Sequence, residues 1–161
     1  MFEAIYCENG HFIASKPEIP DYMIRSGAMD KRFHDELKRL SFCTKCGSPS
    51  VCVCPSCNAS IVAEDERPSY CGSCGKQYPW TQLALDAAKE YTDELESLSE
   101  EDKTKLKETF SDLTVETAKT PLAESRFTKF LVKIGPPAAS ALTKILGDVM
   151  TSEIKRTLGL G

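Results

Sequence analysis

Apolar positions recur along this chain with two different periods, and the change of period divides it. Near the start, Ala4-Ile5-Tyr6 and Phe12-Ile13-Ala14 are short apolar runs separated by a polar stretch ending in Asn9-Gly10, which predicts two strands joined by a tight turn. Ile61-Val62-Ala63 and Tyr70 flank a polar Glu64-Asp65-Glu66-Arg67-Pro68 stretch and predict a second hairpin. From Thr81 onward the spacing becomes three and four residues, the period of amphipathic helices. Thr81 is placed to cap a first helix with Ala84, Ala87, Ala88, Tyr91, Leu95 and Leu98 on one face. Ser99-Glu100-Glu101-Asp102 opens a second, with Leu106, Phe110 and Leu113, and its acidic first turn suits the helix dipole. Thr120-Pro121 opens a third, with Ala123, Phe127, Phe130, Leu131 and Ile134, and Gly135-Pro136-Pro137 closes it. A last helix is predicted from about Ala138 to Leu158, carrying Ala138, Leu142, Ile145, Leu146, Val149, Met150 and Ile154 in a wide band. The fold class is therefore α+β, with a small β head over residues 1–80 and a tail of about four helices over residues 81–161.

The cysteines change the picture of the head. All eight lie before residue 75, and seven of them, with His11, fall into pairs: Cys7 with His11, Cys43 with Cys46, Cys54 with Cys57, and Cys71 with Cys74. Repeated CxxC spacing is the signature of zinc sites, because zinc takes four soft ligands at tetrahedral corners and one short turn supplies two of them. Gly47 and Gly75 follow the second cysteine of their pairs, where the chain must bend round the metal through a positive φ. Cys54, Cys57, Cys71 and Cys74 form one expected site, a zinc ribbon, and Cys7, His11, Cys43 and Cys46 a second. Two other arrangements are compatible with the spacing. Cys43 and Cys46 could join Cys54 and Cys57 across the tight loop 47–53, or the pairs could interleave as in a cross-brace. Sequential pairing is preferred. Cys52 is left over and reads as a spare thiol, with substitute ligand or redox sensor as the other roles open to it.

These residues carry a resemblance. The opening Cys-x-Asn-Gly-His, the knuckle Phe42-Cys-x-x-Cys-Gly, the run from Cys54 to Ile61, and Pro68-Ser-Tyr-Cys-x-x-Cys-Gly-Lys-x-Tyr-Pro-Trp-Thr81 resemble an uncharacterised bacterial family with a double zinc ribbon and a C-terminal helical tail. The resemblance implies two structural zinc ions in a bacterial cytoplasmic protein and supplies no activity. The chain departs from that pattern at Cys52 and in the long linker 15–41.

The remaining chemistry is sparse. All-cysteine and Cys3His sites are closed, without the open position that a catalytic zinc keeps for water. His34-Asp35-Glu36 matches half of a zinc-deaminase signature, but no CxxC here follows the required proline. Cys54-Pro55-Ser56-Cys57 looks like a thiol-redox motif without its βαβ context. No paired carboxylates, phosphate loop or nucleophile with a base stand out, so no catalytic residue is expected. With 41% hydrophobic and 27% charged residues the chain reads as globular. It has no apolar run of membrane-spanning length, and its N-terminus lacks the marks of a secretory signal, so a reducing cytoplasm is expected. Charge is split in the tail: residues 86–116 hold eleven acids and four bases, residues 117–161 three acids and seven bases. The two halves are expected to pack with complementary surfaces, or the basic end to meet an anionic membrane surface or a partner helix. The width of the last apolar band predicts self-association through the C-terminal helices. Tyr70, Tyr78, Trp80, Lys45 and Lys76 are candidates for nucleic-acid contact, but nine bases against ten acids in the head argue against it. The expected function is that of a non-enzymatic protein-interaction module.

Overall fold

The computed structural model describes residues 2–15, 40–63 and 66–160. His34-Asp35-Glu36, most of the linker and Glu64-Asp65 lie outside these residues. The chain divides into two compact units, Met1–Trp80 and Thr81–Gly161.

The first unit is built on one strand. β1 (Phe2–Cys7) pairs antiparallel with β2 (Phe12–Ser15), in the register Ala4 to Ser15, Ile5 to Ala14 and Tyr6 to Phe12, with a bulge between Ile5 and Tyr6. The end of β1 also pairs with β3 (Ser50–Val51), and its start with β4 (Val62–Ala63). β1 is thus central, and Ala4, Ile5, Tyr6 and Cys7 are all buried, as a strand with neighbours on both sides requires. This corrects the second predicted hairpin. Val62 and Ala63 are strand partners of Glu3 and Phe2, and Ile61 O accepts the Ala4 N–H at 2.9 Å. Tyr70 instead bridges to Gln77. The cause is burial: pairing with β1 hides Ile61 and Ala63, 0% and 2% exposed, which a two-stranded ribbon alone would leave wet.

Aromatic rings complete this core. Tyr78 stacks on Trp80 with centroids 4.7 Å apart, Trp80 lies against Tyr6 at 5.1 Å, and Tyr6 meets Phe12 edge-on at 5.8 Å. The Trp80 indole N–H donates to Pro68 O at 2.8 Å, satisfying its one polar group. Arg67 lies over the Trp80 ring at 5.7 Å and donates through Nη1 to Gly10 O at 2.5 Å. That contact ties the stretch before Cys71 to the turn between Cys7 and His11.

The second unit contains five helices among the described residues. α1 (Pro79–Asp93) begins two residues before the predicted cap, with proline in the first turn where its missing N–H is harmless. Its buried face is Thr81, Leu85, Ala88 and Thr92, rotated from the predicted one, with Leu95 buried just past its end, and Ala87 is exposed. Two buried threonines hid this face from a hydrophobic count; Thr92 satisfies its hydroxyl on Ala88 O at 2.7 Å. α2 (Glu100–Asp112) starts at Ser99, whose side chain accepts the Asp102 N–H at 3.2 Å. α3 (Thr120–Ile134) packs against α2 through Phe127 on Phe110, an edge-to-face pair at 6.4 Å.

The predicted last helix is broken. α4 (Pro136–Gly147) and α5 (Ser152–Thr157) are separated by a turn. Thr151 makes the break: its hydroxyl caps α5 by accepting the Ile154 N–H at 3.4 Å, and its backbone N–H reaches Leu113 O, past the end of α2, at 3.1 Å. The break folds the apolar band inward. Leu142, Leu146, Val149, Met150 and Ile154 are 0–3% exposed within one chain, while Ala138 and Ile145 of the predicted band are half-buried.

Candidate metal centres

Three knuckles repeat the same local structure. The N–H groups of Cys43, Cys54 and Cys71 donate to the carbonyls of Ser48, Ala59 and Lys76, five residues on, at 2.8–2.9 Å. The N–H groups of Gly47, Asn58 and Gly75 turn back to the carbonyls of the same three cysteines at 2.8–2.9 Å. Single bridges close each loop between Phe42 and Pro49, Val53 and Ser60, and Tyr70 and Gln77. The turning residue has positive φ in every case, 72° at Gly47, 61° at Asn58 and 71° at Gly75, and asparagine is the side chain that best tolerates this conformation. In each loop the first cysteine is buried and the second exposed. The fourth turn is different: the β1–β2 hairpin places Cys7 and His11 on facing arms, with Cys7 N–H to His11 O at 3.0 Å and Gly10 at φ 80° between them.

Folding these turns together brings Cys7, His11, Cys43 and Cys46 into one cluster and Cys54, Cys57, Cys71 and Cys74 into another, with all ligand atoms of a cluster within 4.8 Å of one another. The Sγ–Sγ separations are 3.7 Å for Cys7–Cys46, Cys54–Cys74 and Cys57–Cys71, and His11 Nδ1 lies 3.5 Å from Cys7 Sγ and 3.6 Å from Cys43 Sγ. Ligands at the corners of a zinc tetrahedron, about 2.3 Å from the centre for sulfur and about 2.0 Å for nitrogen, stand roughly 3.8 Å apart sulfur to sulfur and roughly 3.5 Å sulfur to nitrogen. The five separations agree with this geometry, and the soft donor set suits zinc. A disulfide needs about 2.05 Å between sulfurs, and every cysteine here is free. Both clusters could hold a metal ion and are consistent with zinc ribbons. Cys52 is half-buried and belongs to neither.

The surroundings tune the thiols. Asn9 Nδ2 donates to Cys46 Sγ at 3.4 Å and to Ser48 Oγ at 2.8 Å. Hydrogen bonds from Asn9 and Ser48 favour the thiolate and bring Cys46 down to about 5. In the other cluster the Cys74 and Ser73 backbone N–H groups bring Cys71 down to about 6. At Cys57 an N–H bond from Ala59 favours the thiolate, but desolvation and the three neighbouring sulfurs outweigh it and push the group up to about 12. Cys46 and Cys71 therefore form thiolates readily, while burial at Cys7 and desolvation with the neighbouring sulfurs at Cys57 oppose a second charge in each cluster until a cation joins them. The Tyr78 phenol is pushed up by burial and by Cys71 beside it. Asn9 was not legible as a partner of Cys46, 37 residues away, nor were Ser48 and Tyr78 as partners of Cys46 and Cys71, because spacing along the chain does not show which side chains the folded loops turn toward a sulfur. Only the position of Asn9 between Cys7 and His11 hinted at a role.

No helix among the described residues is long and apolar enough to cross a membrane. Comparison with curated proteins and with solved structures gives no match. The family comparison does: residues 2–158 match a family model described as an uncharacterized protein conserved in bacteria, DUF2321, and the chain belongs to that family.

Proposed function

We propose that this chain is a non-enzymatic zinc-binding protein of the cytoplasm, in which two structural zinc ions fold the head so that the protein can engage a protein partner. The carrying observation is the pair of tetrahedral clusters, Cys7/His11/Cys43/Cys46 and Cys54/Cys57/Cys71/Cys74, whose edges match four-ligand zinc. Four protein ligands leave no open position for water or substrate, which supports a structural role over a catalytic one. The strands of this head are two to six residues long, too short to fold without such a staple. Trp80 and Tyr78, the best candidates for stacking on nucleobases, are each 2% exposed, which favours a protein partner over a nucleic acid.

Metal analysis of the purified chain tests the first part. Two zinc ions per chain are expected, with Cys52→Ser unchanged and Cys71→Ser losing one; a content of one or none in the wild-type chain overturns the reading. Capture of partners from the native host, with the full chain against a chain lacking residues 117–161, tests the second part. Partners eluted by nuclease treatment would refute it.

A further inference from the structure

A groove of about 440 Å3 lies between α2 and α3, lined by Lys105 and Glu108 from α2 and by Arg126, Lys129 and Phe130 from α3. This volume falls within the range of ligand-binding clefts, about 300–1,000 Å3. Three of the five lining residues are cations and one is an acid. Lys105 is held by Glu101 at 2.6 Å, and the cross-helix pair Asp102–Lys133 neutralises the next basic residue along α3. No ion pair joins Arg126 or Lys129 to any described residue. The complementary packing expected of the acidic and basic halves is therefore incomplete here. Phe130 is only half-buried although it sits on the apolar stripe of α3. One turn before Arg126, on the same side of α3, Leu122 stands 51% exposed.

We propose that this groove binds an acidic segment of a protein partner, one that carries apolar side chains next to its carboxylates; the proposal deepens the interaction-module reading and rests on it. Carboxylates meet the Arg126 guanidinium and the Lys129 ammonium, whose charges no described residue offsets. An adjacent apolar side chain covers Phe130, and Leu122 extends the contact along α3. Three features select this ligand over other anions. A free phosphate uses the cations and leaves Phe130 uncovered. A flat anionic bilayer cannot enter a concave groove to reach the cations in its lining. A nucleic-acid backbone is opposed by Glu108 inside the groove, whereas a peptide can offer that carboxylate a backbone N–H.

The test uses the full zinc-loaded chain and a capped peptide of alternating glutamate with leucine and phenylalanine, read by amide chemical shifts. Shifts are expected at Lys105, Glu108, Arg126, Lys129 and Phe130, weakening as salt is added. The double variant R126E/K129E should bind at least about tenfold more weakly, with zinc content and helical circular dichroism unchanged. Serine in place of leucine and phenylalanine should weaken binding as well. Equal or larger shifts from inorganic phosphate or from phosphatidylglycerol vesicles overturn the proposal, as does peptide binding indifferent to the double variant. A chain that carries two zinc ions and ignores the peptide refutes this proposal and leaves the zinc reading standing; a chain without zinc refutes the zinc reading.

Discussion

Replacing Gly10 with alanine should cost the head far more than the same change at Gly47, although both glycines have similar backbone angles, φ 80° and φ 72°. At Gly47 a Cβ meets nothing within 4 Å, so Gly47→Ala costs only the left-handed conformation, about 1–2 kcal/mol. At Gly10 a Cβ overlaps the Arg67 guanidinium and comes within 2.8 Å of Trp80 Cβ. The Trp80 Cβ sits close to its backbone and cannot yield, so Arg67 must leave. It then loses its hydrogen bond to Gly10 O and its place over Trp80. A hydrogen bond from a charged donor contributes about 1.5–3 kcal/mol and a cation–π contact about 0.5–1 kcal/mol. Adding the conformational term gives roughly 3–6 kcal/mol for Gly10→Ala, with some overlap between neighbouring losses and with the contact to Trp80 Cβ adding to it. Urea unfolding of the zinc-loaded chain, followed by fluorescence of Trp80, the single tryptophan, compares the two variants directly. Gly10 also lies between Cys7 and His11, so chelator titration should show the first cluster of Gly10→Ala giving up metal before the second. Equal destabilisation by both substitutions would refute the argument that Arg67 locks the turn.

Three further outcomes follow from the structure. Zinc loading at pH 7, followed with a pH indicator, should release fewer protons than there are cysteine ligands, because Cys46 and Cys71, at about 5 and about 6, are already ionised. Below those values both must also lose a proton, so release rises and affinity falls as pH drops through about 6 and then about 5. Leu146→Ala, at a side chain 0% exposed, should lower unfolding free energy by about 2–5 kcal/mol, while Val132→Ala, at 79% exposed, should stay within about 0.5 kcal/mol in the same denaturation assay. Thr151→Ala removes the cap of α5 and should cost about 1 kcal/mol, with amide exchange rising first over Ser152–Thr157.

Much of the second unit was legible because capping is local. Ser99 captures an N–H three residues away, and Pro121 near the start of α3 acts through its own ring, whereas Pro136, expected to close α3, opens α4. The face of α1 was not legible. Thr81 and Thr92 are 0% exposed, and a scale that counts threonine as polar turns the stripe toward Ala84 and Ala87. The split of the last helix was hidden for a related reason: Leu142 through Ile154 keeps one apolar period across it, and the signal for the break includes a hydrogen bond from Thr151 to Leu113, far away in the chain.

By itself the sequence determined which cysteines travel in pairs, where each knuckle turns and where α2 and α3 begin, since ligand spacing, φ preference and capping act over two to five residues. Asn58 shows how far that reasoning reaches, standing at φ 61° where the other two knuckles place glycine. Tertiary structure alone decided that β1 serves both ribbons, that Arg67 reaches across to Gly10, and that Arg126 and Lys129 face a groove without a partnering acid among the described residues. Those outcomes depend on which distant segments exclude water from one another. Burial is a property of the assembled fold, and no window of neighbouring residues contains it.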